Sequence, residues 1–284
     1  MNERVALITG SSQGFGEFLA RRFWDAGYSL CLIARSDVGL EQVVTTLPAS
    51  KEQQVISMVC DLGDQAQIAE LSVKVRGCFS RFDVLINNAA IHGPIGPLLE
   101  TDFSLWQQTI QVDLLAPVFL CRSFIPWMQE IGGGSIINLS GGGATGPRPN
   151  FSAYATAKAG LVRFSETLAE ETKPYGVRVN CIAPGAMNTA LLGEILENGA
   201  AAGEQEFALA NKVFTEGGAL MKNVADLALF LASPASKGIT GKLISAVWDD
   251  WEHWPEHLDD LSSSDVYTLR RIVGRDRGFS WGDK

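Results

Sequence analysis

The sequence predicts an α/β protein built on a doubly wound parallel sheet with helices on both faces. Short apolar runs rich in β-branched residues alternate along the 284 residues with segments of helical period. Apolar strands of this kind are typical of parallel sheets, because helices cover both faces. The hydrophobic content of 46% is sufficient for one large core. We expect one domain over residues 1–245 and a C-terminal extension over residues 246–284.

The strands follow from short apolar runs that are bounded by glycine, proline, serine or aspartate. They are predicted at residues 5–9, 29–34, 55–60, 84–87, 135–139, 177–182 and 239–246. Helices are predicted between them at residues 14–26, 42–47, 65–79, 105–128 and 154–173, where apolar residues recur with helical period. In a doubly wound sheet, ligands bind at the carboxyl ends of the strands, where the strand order reverses.

Composition excludes several classes of protein. The net charge of −9 and the pI near 4.9 argue against nucleic-acid binding, which needs a basic surface. No apolar segment near the start has the length of a signal peptide or a membrane span, so we expect a cytoplasmic protein and no membrane partner. No metal site is expected, because the histidines lack liganding spacing except for His253 and His257, an i, i+4 pair that we interpret as a packed or solvated helix face. The cysteines lack CxxC spacing and are predicted to be buried free thiols in a reducing compartment; they are Cys31, Cys60, Cys78, Cys121 and Cys181.

A glycine-rich loop follows the first strand and leads into a helix. Its sequence is Thr-Gly-Ser-Ser-Gln-Gly-Phe-Gly over residues 9–16. Glycines permit a tight turn and a close approach of the backbone, and the helix N-terminus offers free N–H groups and a positive dipole end to a pyrophosphate. The predicted cofactor-binding residues of this loop are Gly10, Ser12, Gln13, Gly14, Phe15 and Gly16.

Tyr154 and Lys158 form the predicted catalytic pair. They are four residues apart on a predicted helix and therefore share one face. A phenol is a poor acid near neutral pH, but a neighbouring ammonium stabilises the phenolate and lowers the pKa. The pair therefore predicts a tyrosine that donates a proton in carbonyl chemistry.

Taken together, these motifs resemble the short-chain dehydrogenase/reductase family, whose glycine loop has the form TGxxxGxG. Asn87-Asn88-Ala89-Ala90 resembles its NNAG motif, Asp61-Leu62 falls where the family contacts adenine, and Pro184-Gly185 with Thr189 resembles its PGxxxT nicotinamide segment. The resemblance covers roughly residues 1–245. It implies a Rossmann-type fold, an NAD(P) cofactor, and cofactor-binding roles for Asp61, Leu62, Asn88, Ala89, Lys158, Pro184, Gly185 and Thr189.

The residues after the second strand favour NADP, with NAD as the alternative. Ala34 stands where relatives that prefer NAD carry Asp, and Arg35 follows it. An arginine at this point can bind the 2′-phosphate of NADP, whereas a carboxylate would bind the ribose hydroxyls of NAD. Gln13 weakens the prediction, since many relatives that prefer NADP have a second basic residue there.

Two positions depart from the family pattern. The family serine, thirteen residues before the tyrosine, falls on Gly141, and the nearest serine is Ser140. A one-residue offset reverses the face of a strand, but the following glycines permit a turn, so Ser140 remains a candidate to bind the substrate oxygen. Asp113 replaces the family asparagine and is expected to raise the pKa of Lys158 if the two are close.

The predicted function is NAD(P)-dependent interconversion of a carbonyl and a secondary alcohol on a small molecule. The alternatives are a dehydratase or epimerase of a nucleotide-linked sugar, and a cofactor-sensing protein without catalysis. We also expect a homo-oligomer, either a dimer or a tetramer. The extension contains Arg270, Arg271, Arg275 and Arg277 and is predicted either to contact another subunit or to cover the active site and bind an anionic substrate group.

Overall fold

The computed structural model describes residues 4–281. Residues 1–3 and the last residues of the predicted extension, 282–284, lie outside the described residues. Within residues 4–281, seven parallel strands form one sheet in the order β3-β2-β1-β4-β5-β6-β7. The strands are β1 (Arg4–Thr9), β2 (Tyr28–Ala34), β3 (Val55–Val59), β4 (Val84–Asn87), β5 (Gly134–Leu139), β6 (Val177–Ala183) and β7 (Leu243–Ser245). The predicted doubly wound, Rossmann-type sheet is confirmed.

Helices lie on both faces of the sheet and over its carboxyl edge. The α-helices of the described chain are α1 (Gly14–Asp25), α2 (Asp37–Thr46), α3 (Gln65–Cys78), α4 (Phe103–Ile110), α5 (Ala116–Glu130), α6 (Ser152–Thr172), α7 (Ala190–Asn198), α8 (Glu204–Glu216), α9 (Met221–Ala232) and α10 (Leu258–Ser263). The helices α7, α8, α9 and α10 were not predicted from the sequence. Of these, α7 and α8 pack against Phe151 and Tyr154 and so cover the site described below.

Successive strand residues pack into separate cores on the two faces of the sheet. Ile8 faces α1 and α9, whereas its neighbour Leu7 faces α3 and α5. Side chains alternate between faces along a strand, so a strand buried on both faces must be apolar throughout. Four of the predicted free thiols are buried, but Cys78 is exposed because it is the last residue of α3.

The strand order reverses at β1, which has β2 on one side and β4 on the other. The chain leaves the carboxyl end of β1 at Gly10 and that of β4 at Asn88. A crevice forms between diverging connections at such a switch point and is the expected ligand site of a doubly wound sheet.

The long helix predicted at residues 105–128 contains a change of helical geometry. Helix α4 passes into a π-helical segment, Gln111–Leu115, before α5 begins. Such π-bulges are frequent at functional sites. This one holds Asp113, which is completely buried.

The same run, Phe103–Glu130, is long and apolar enough by length and composition to cross a membrane, with a mean hydropathy of 1.2. Its α5 part packs on the sheet, where Leu120 and Phe124 are buried. We therefore interpret it as a core helix.

The last strand is shorter than predicted, and the extension packs beside it. β7 covers Leu243–Ser245, not residues 239–246; Gly241 has φ +72°, outside the extended range of a strand. The Leu243 N–H donates to the Tyr267 carbonyl at 2.8 Å. Trp254 is buried in the main core, and its ring centroid lies 4.3 Å from that of Tyr267.

Candidate active site

One large cavity runs along the carboxyl edge of the sheet, with a volume of about 1010 Å³. Its wall contains every predicted site residue except Asp113, which lies behind the wall. The predicted residues on the wall are Gly10, Ser12, Gln13, Gly14, Phe15, Gly16, Arg35, Asp61, Leu62, Asn88, Ala89, Ser140, Tyr154, Lys158, Pro184, Gly185 and Thr189. Residues from seven segments of the sequence therefore meet in one place.

The glycine loop needs glycine for steric reasons. A Cβ on Gly16 would lie 2.0 Å from the Gly10 carbonyl oxygen, and Gly10 has φ +66°. Helix α1 begins at Gly14, and the preceding Gln13 side chain makes no capping hydrogen bond to it. The first N–H groups of α1 are thus left for an anion at the positive end of the helix.

Asn88 and Ala89 hold this loop from the neighbouring strand. Asn88 Nδ2 donates to the Thr9 carbonyl at 2.9 Å, and the N–H groups of Asn88 and Ala89 both donate to Thr9 Oγ1 at 3.0 Å. A Cβ on Gly10 would lie 2.9 Å from Ala89 Cα. The segment after β4 therefore fixes the loop as well as lining the cavity.

Arg35 and Asp61 lie at the opposite end of the cavity from Tyr154. Arg35 is the residue after β2, and its side chain is exposed at the cavity wall. Asp61 Oδ1 accepts a hydrogen bond from the Gly63 N–H at 2.8 Å. These are the positions that the sequence predicted for the adenosine half of the cofactor.

Tyr154 and Lys158 lie on the first turns of α6, facing the cavity. Lys158 Nζ is 5.4 Å from the Tyr154 ring centroid and donates to the Leu139 carbonyl at 3.1 Å. Tyr154 is 6% exposed and Lys158 is 2% exposed. The carboxyl end of β5 thus positions the lysine, and the lysine lies beside the phenol as predicted.

Asp113 lies directly behind the lysine. Its Oδ2 is 3.4 Å from Lys158 Nζ, and its Oδ1 accepts from the Ile91 N–H at 2.9 Å. Burial lowers the pKa of Lys158, but the charges of Asp113 and Tyr154 raise it by more, so the net direction is upward, as predicted. Burial raises the pKa of Asp113, and the Lys158 charge opposes that rise. We describe the two as a buried ion pair because of their 3.4 Å separation and their burial.

Lys158 lowers the pKa of Tyr154 as predicted, but the net direction is upward, so the predicted fall is wrong. Burial raises the pKa of Tyr154 above its ordinary value, and the Lys158 ammonium opposes this only in part. The charge of Asp113 adds to the rise. The sequence showed the neighbouring cation and the candidate carboxylate Asp113, but not the depth at which Tyr154 is buried.

Gly141 occupies the family serine position and has no room for a side chain. A Cβ there would lie 2.2 Å from Tyr154 Oη. Ser140 lies on the cavity wall, and its Oγ is buried without a hydrogen-bond partner among the described residues. The Ser140 hydroxyl therefore remains the candidate for binding a substrate oxygen.

Gly185 and Thr189 lie between β6 and α7. Gly185 has φ +77°, and a Cβ there would lie 2.9 Å from Val247 Cγ2. Thr189 is the residue before α7. The predicted PGxxxT segment thus leads from the sheet to the helices that cover the cavity.

Among the cavity residues that were not predicted from the sequence, four form two side-chain pairs. His92 Nδ1 lies 3.0 Å from Glu194 Oε2, and Arg148 makes a bidentate contact with Glu206. The His92 ring centroid is 4.9 Å from that of Tyr154. Each pair joins a residue packed near Tyr154 to a covering helix, Glu194 being on α7 and Glu206 on α8.

The extension does not bring its arginines to the cavity. Within the described part of residues 246–284, Trp248 is the residue on the cavity wall. Arg270 instead pairs with Asp265 at 3.1 Å and with Asp276 at 2.9 Å, both in the extension. Among residues 4–281, no group of three or more His, Cys, Asp or Glu side chains could hold a metal ion.

The residues present fit a nicotinamide dinucleotide. The glycine loop has no room for a Cβ at Gly16, so its backbone is open to a phosphate group. The cavity extends from Arg35 to Tyr154. At the Tyr154 end, the unpartnered Ser140 hydroxyl is available to a ligand. Fold and site together define a dinucleotide-binding protein with an acid–base tyrosine.

Comparisons with known proteins agree with this class. A family model described as short chain dehydrogenase matches residues 4–200. The chain belongs to this family. The human dehydrogenase/reductase SDR family member 4 is 33% identical over 189 residues, which span 66% of each chain. The BbsD subunit of (2S)-[(R)-hydroxy(phenyl)methyl]succinyl-CoA dehydrogenase from Thauera aromatica is 32% identical, over 86% of this chain and 95% of its own.

Solved structures show the same fold. YwfH, an NADPH-dependent reductase involved in bacilysin biosynthesis, has a TM-score of 0.78 at 27% identity, over 86% of this chain and 97% of its own. Levodione reductase has a TM-score of 0.77 at 26% identity, over 89% of this chain and 98% of its own. The family and the class of oxidoreductase that the sequence predicted are confirmed.

Proposed function

We propose that the protein is an NAD(P)-dependent oxidoreductase that interconverts a carbonyl and a secondary alcohol. The observation that carries the proposal is the position of Tyr154 and Lys158 in the same cavity as the glycine loop. Relatives named dehydrogenases and reductases support it. No feature of the described residues favours sugar dehydration or non-catalytic sensing.

Tyr154 carries the proton in this reaction. In the direction of reduction, its Oη donates the proton to the substrate oxygen, and the nicotinamide, when bound, supplies the hydride to the carbonyl carbon. The Lys158 ammonium stabilises the phenolate that Tyr154 leaves behind. Ser140 Oγ donates a second hydrogen bond to the substrate oxygen. The burial of Tyr154 and Lys158 excludes water from the proton transfer.

An assay against a substrate panel tests the proposal. NADPH and NADH are each supplied with ketones, sugars and acyl thioesters while cofactor absorbance is followed. Oxidation of the cofactor that depends on the carbonyl substrate supports the function. Absence of turnover across the panel, and of the reverse reaction with the matching alcohols, contradicts it.

Gly141→Ala is expected to reduce kcat/KM about 100-fold, since the new methyl group displaces Tyr154 Oη from its position. Steady-state kinetics would measure the effect. Gly146→Ala is the matched control, because its Cβ would meet nothing within 4 Å and it lies outside the cavity wall. Equal turnover of the two variants would show that Tyr154 does not need this space.

We propose NADP as the preferred cofactor, because Arg35 lies on the cavity wall where a 2′-phosphate would lie. Arg35→Glu is expected to lower the NADPH to NADH ratio of kcat/KM about 10- to 100-fold, since an ionic hydrogen bond to phosphate is lost and a repulsion is added. Lys51→Glu, an equal charge reversal at an exposed position outside the cavity wall, should leave the ratio unchanged. An unchanged ratio in Arg35→Glu would rule out this contact.

We propose that the protein is a cytoplasmic homo-oligomer, either a dimer or a tetramer. Exposed apolar side chains support association, with Leu99 98% and Phe103 64% exposed. The five free cysteines support a reducing compartment. Light scattering in solution tests the assembly, and cell fractionation tests the location; a monomer or a membrane-bound fraction would contradict the corresponding proposal.

A further inference from the structure

A guanidinium group lies on the substrate side of the cavity, close to Tyr154. Arg148 Cζ is 3.9 Å from the Phe151 ring centroid and 5.4 Å from the Tyr154 ring centroid. The side chain is only 11% exposed and forms part of the cavity wall. Its stem also packs against Gly142, where an added Cβ would lie 3.5 Å from Cδ. These contacts hold the planar donor group in a fixed orientation.

The Glu206 carboxylate is hydrogen-bonded to this guanidinium group. Glu206 accepts from Arg148 Nε at 3.0 Å and from Nη2 at 2.8 Å, which is the bidentate geometry of arginine and carboxylate. Glu206 also lies on the cavity wall. The structure thus shows that a carboxylate fits against Arg148 from within the cavity.

The helix that carries Glu206 is bounded by two glycines. Helix α8 lies between Gly203, with φ +93°, and Gly217, with φ +92°. These conformations favour glycine, and backbone rotation at such positions can move a helix as a unit. Movement of α8 would withdraw Glu206 from Arg148, and it would also change the packing of α8 on Phe151 and Tyr154.

A substrate carboxylate could then replace Glu206 at little electrostatic cost. A largely buried guanidinium without a partner is unfavourable, and exchange of one carboxylate for another keeps it paired. The other cation on the substrate side of the cavity wall, Lys158, pairs with Asp113, which is completely buried behind the wall, whereas Glu206 lies on the wall itself. Arg148 is therefore the residue available for an anionic group of the substrate.

We propose that the substrate is an oxo acid, with its carboxylate a few carbon atoms from the carbonyl, and that Arg148 binds this carboxylate in place of Glu206. The inference rests on the proposed function, since it names the substrate class of that reaction. The oxo acid becomes a hydroxy acid when its carbonyl carbon takes the hydride of the reduced cofactor and its oxygen takes the Tyr154 proton.

Pairs of 2-, 3- and 4-oxo acids and their methyl esters test the proposal in the full-length enzyme. We expect the wild type to prefer at least one acid over its ester by about 10-fold or more in kcat/KM. Arg148→Gln should lower this acid-to-ester ratio about 10- to 100-fold, and Arg148→Lys should lower it less, because it keeps the charge without the bidentate donors. The ratio is independent of any general loss of active protein.

Glu206→Gln separates substrate binding from a purely structural pair. If Glu206 stands in for the substrate, its neutral variant should keep or raise the acid-to-ester ratio. If the pair only fastens α8, Arg148→Gln and Glu206→Gln should change turnover of acid and ester alike, which would overturn the inference. Arg122→Gln removes the same charge at an exposed site on α5 outside the cavity wall and should leave the ratio unchanged.

A binding measurement distinguishes failure of this inference from failure of the proposed function. Calorimetry would titrate the same acids and esters into enzyme saturated with oxidised cofactor, a complex that cannot reduce them. Acid binding that Arg148→Gln weakens supports the inference even if no carbonyl is turned over. Reduction of neutral carbonyls without preferential acid binding overturns the inference and leaves the oxidoreductase function intact.

Discussion

Tyr154→Phe is expected to reduce carbonyl turnover about 10²- to 10⁴-fold and to leave cofactor binding intact. The ring of Tyr154 packs with Phe151, Leu192 and Ile195, so phenylalanine preserves this apolar cluster and removes only the hydroxyl group. That hydroxyl is the proton donor in the proposed reaction. Steady-state kinetics would give kcat, and the quenching of tryptophan fluorescence by NADPH would give the cofactor dissociation constant.

Tyr175→Phe is the matched control for this prediction. Tyr175 is 52% exposed and lies outside the cavity wall, so the same loss of a hydroxyl should leave kcat unchanged. Turnover in Tyr154→Phe within about 10-fold of the wild type would contradict the role of Tyr154 as proton donor. Loss of NADPH binding in the same variant would instead show that the substitution disturbs the cofactor site.

The fold could be predicted because its signals are local. A buried parallel strand is apolar along its whole length, and a glycine loop between a strand and a helix marks the first crossover. The prediction of the last strand was wrong, because an apolar run there does not have the extended backbone of a strand along its whole length. Gly241 lies inside an apolar run that predicted a strand over residues 239–246, but its positive φ delays β7 until Leu243.

The substrate side of the site could not be predicted because its contacts join distant parts of the chain. His92 and Glu194 are 102 residues apart, and Arg148 and Glu206 are 58 apart. None of these residues belongs to a motif. The cofactor side, in contrast, is built from short segments whose residue types are fixed by steric contact, such as Gly10 and Gly16.

The two departures from the family pattern have different physical consequences. At residue 141, glycine lets Tyr154 Oη approach the backbone, so the absence of a serine is part of how the tyrosine is placed. At residue 113, aspartate adds a charge next to Lys158, whereas an asparagine would add none. The first departure concerns the position of the proton donor, and the second concerns its acidity.

Asp113→Ala is expected to destabilise the protein by about 3–5 kcal/mol, because it leaves the buried Lys158 ammonium without its counter-charge. The Ile91 N–H also loses its acceptor. Urea denaturation at pH 7 would measure the free energy of unfolding. Glu130→Ala breaks the exposed Arg76–Glu130 pair and should change the free energy of unfolding much less, because solvent screens an exposed pair. Similar losses in the two variants would contradict a buried ion pair.

Asp113→Asn is expected to move the alkaline limb of the pH–rate profile to lower pH. Reduction requires a protonated Tyr154, so the rate falls as pH rises through its pKa. The negative charge of Asp113 raises the pKa of both Tyr154 and Lys158, and its removal should therefore lower both. The asparagine oxygen can still accept from the Ile91 N–H, which keeps the local fold. An alkaline limb that stays in place, or moves to higher pH, would show that Asp113 does not carry a negative charge in the working enzyme.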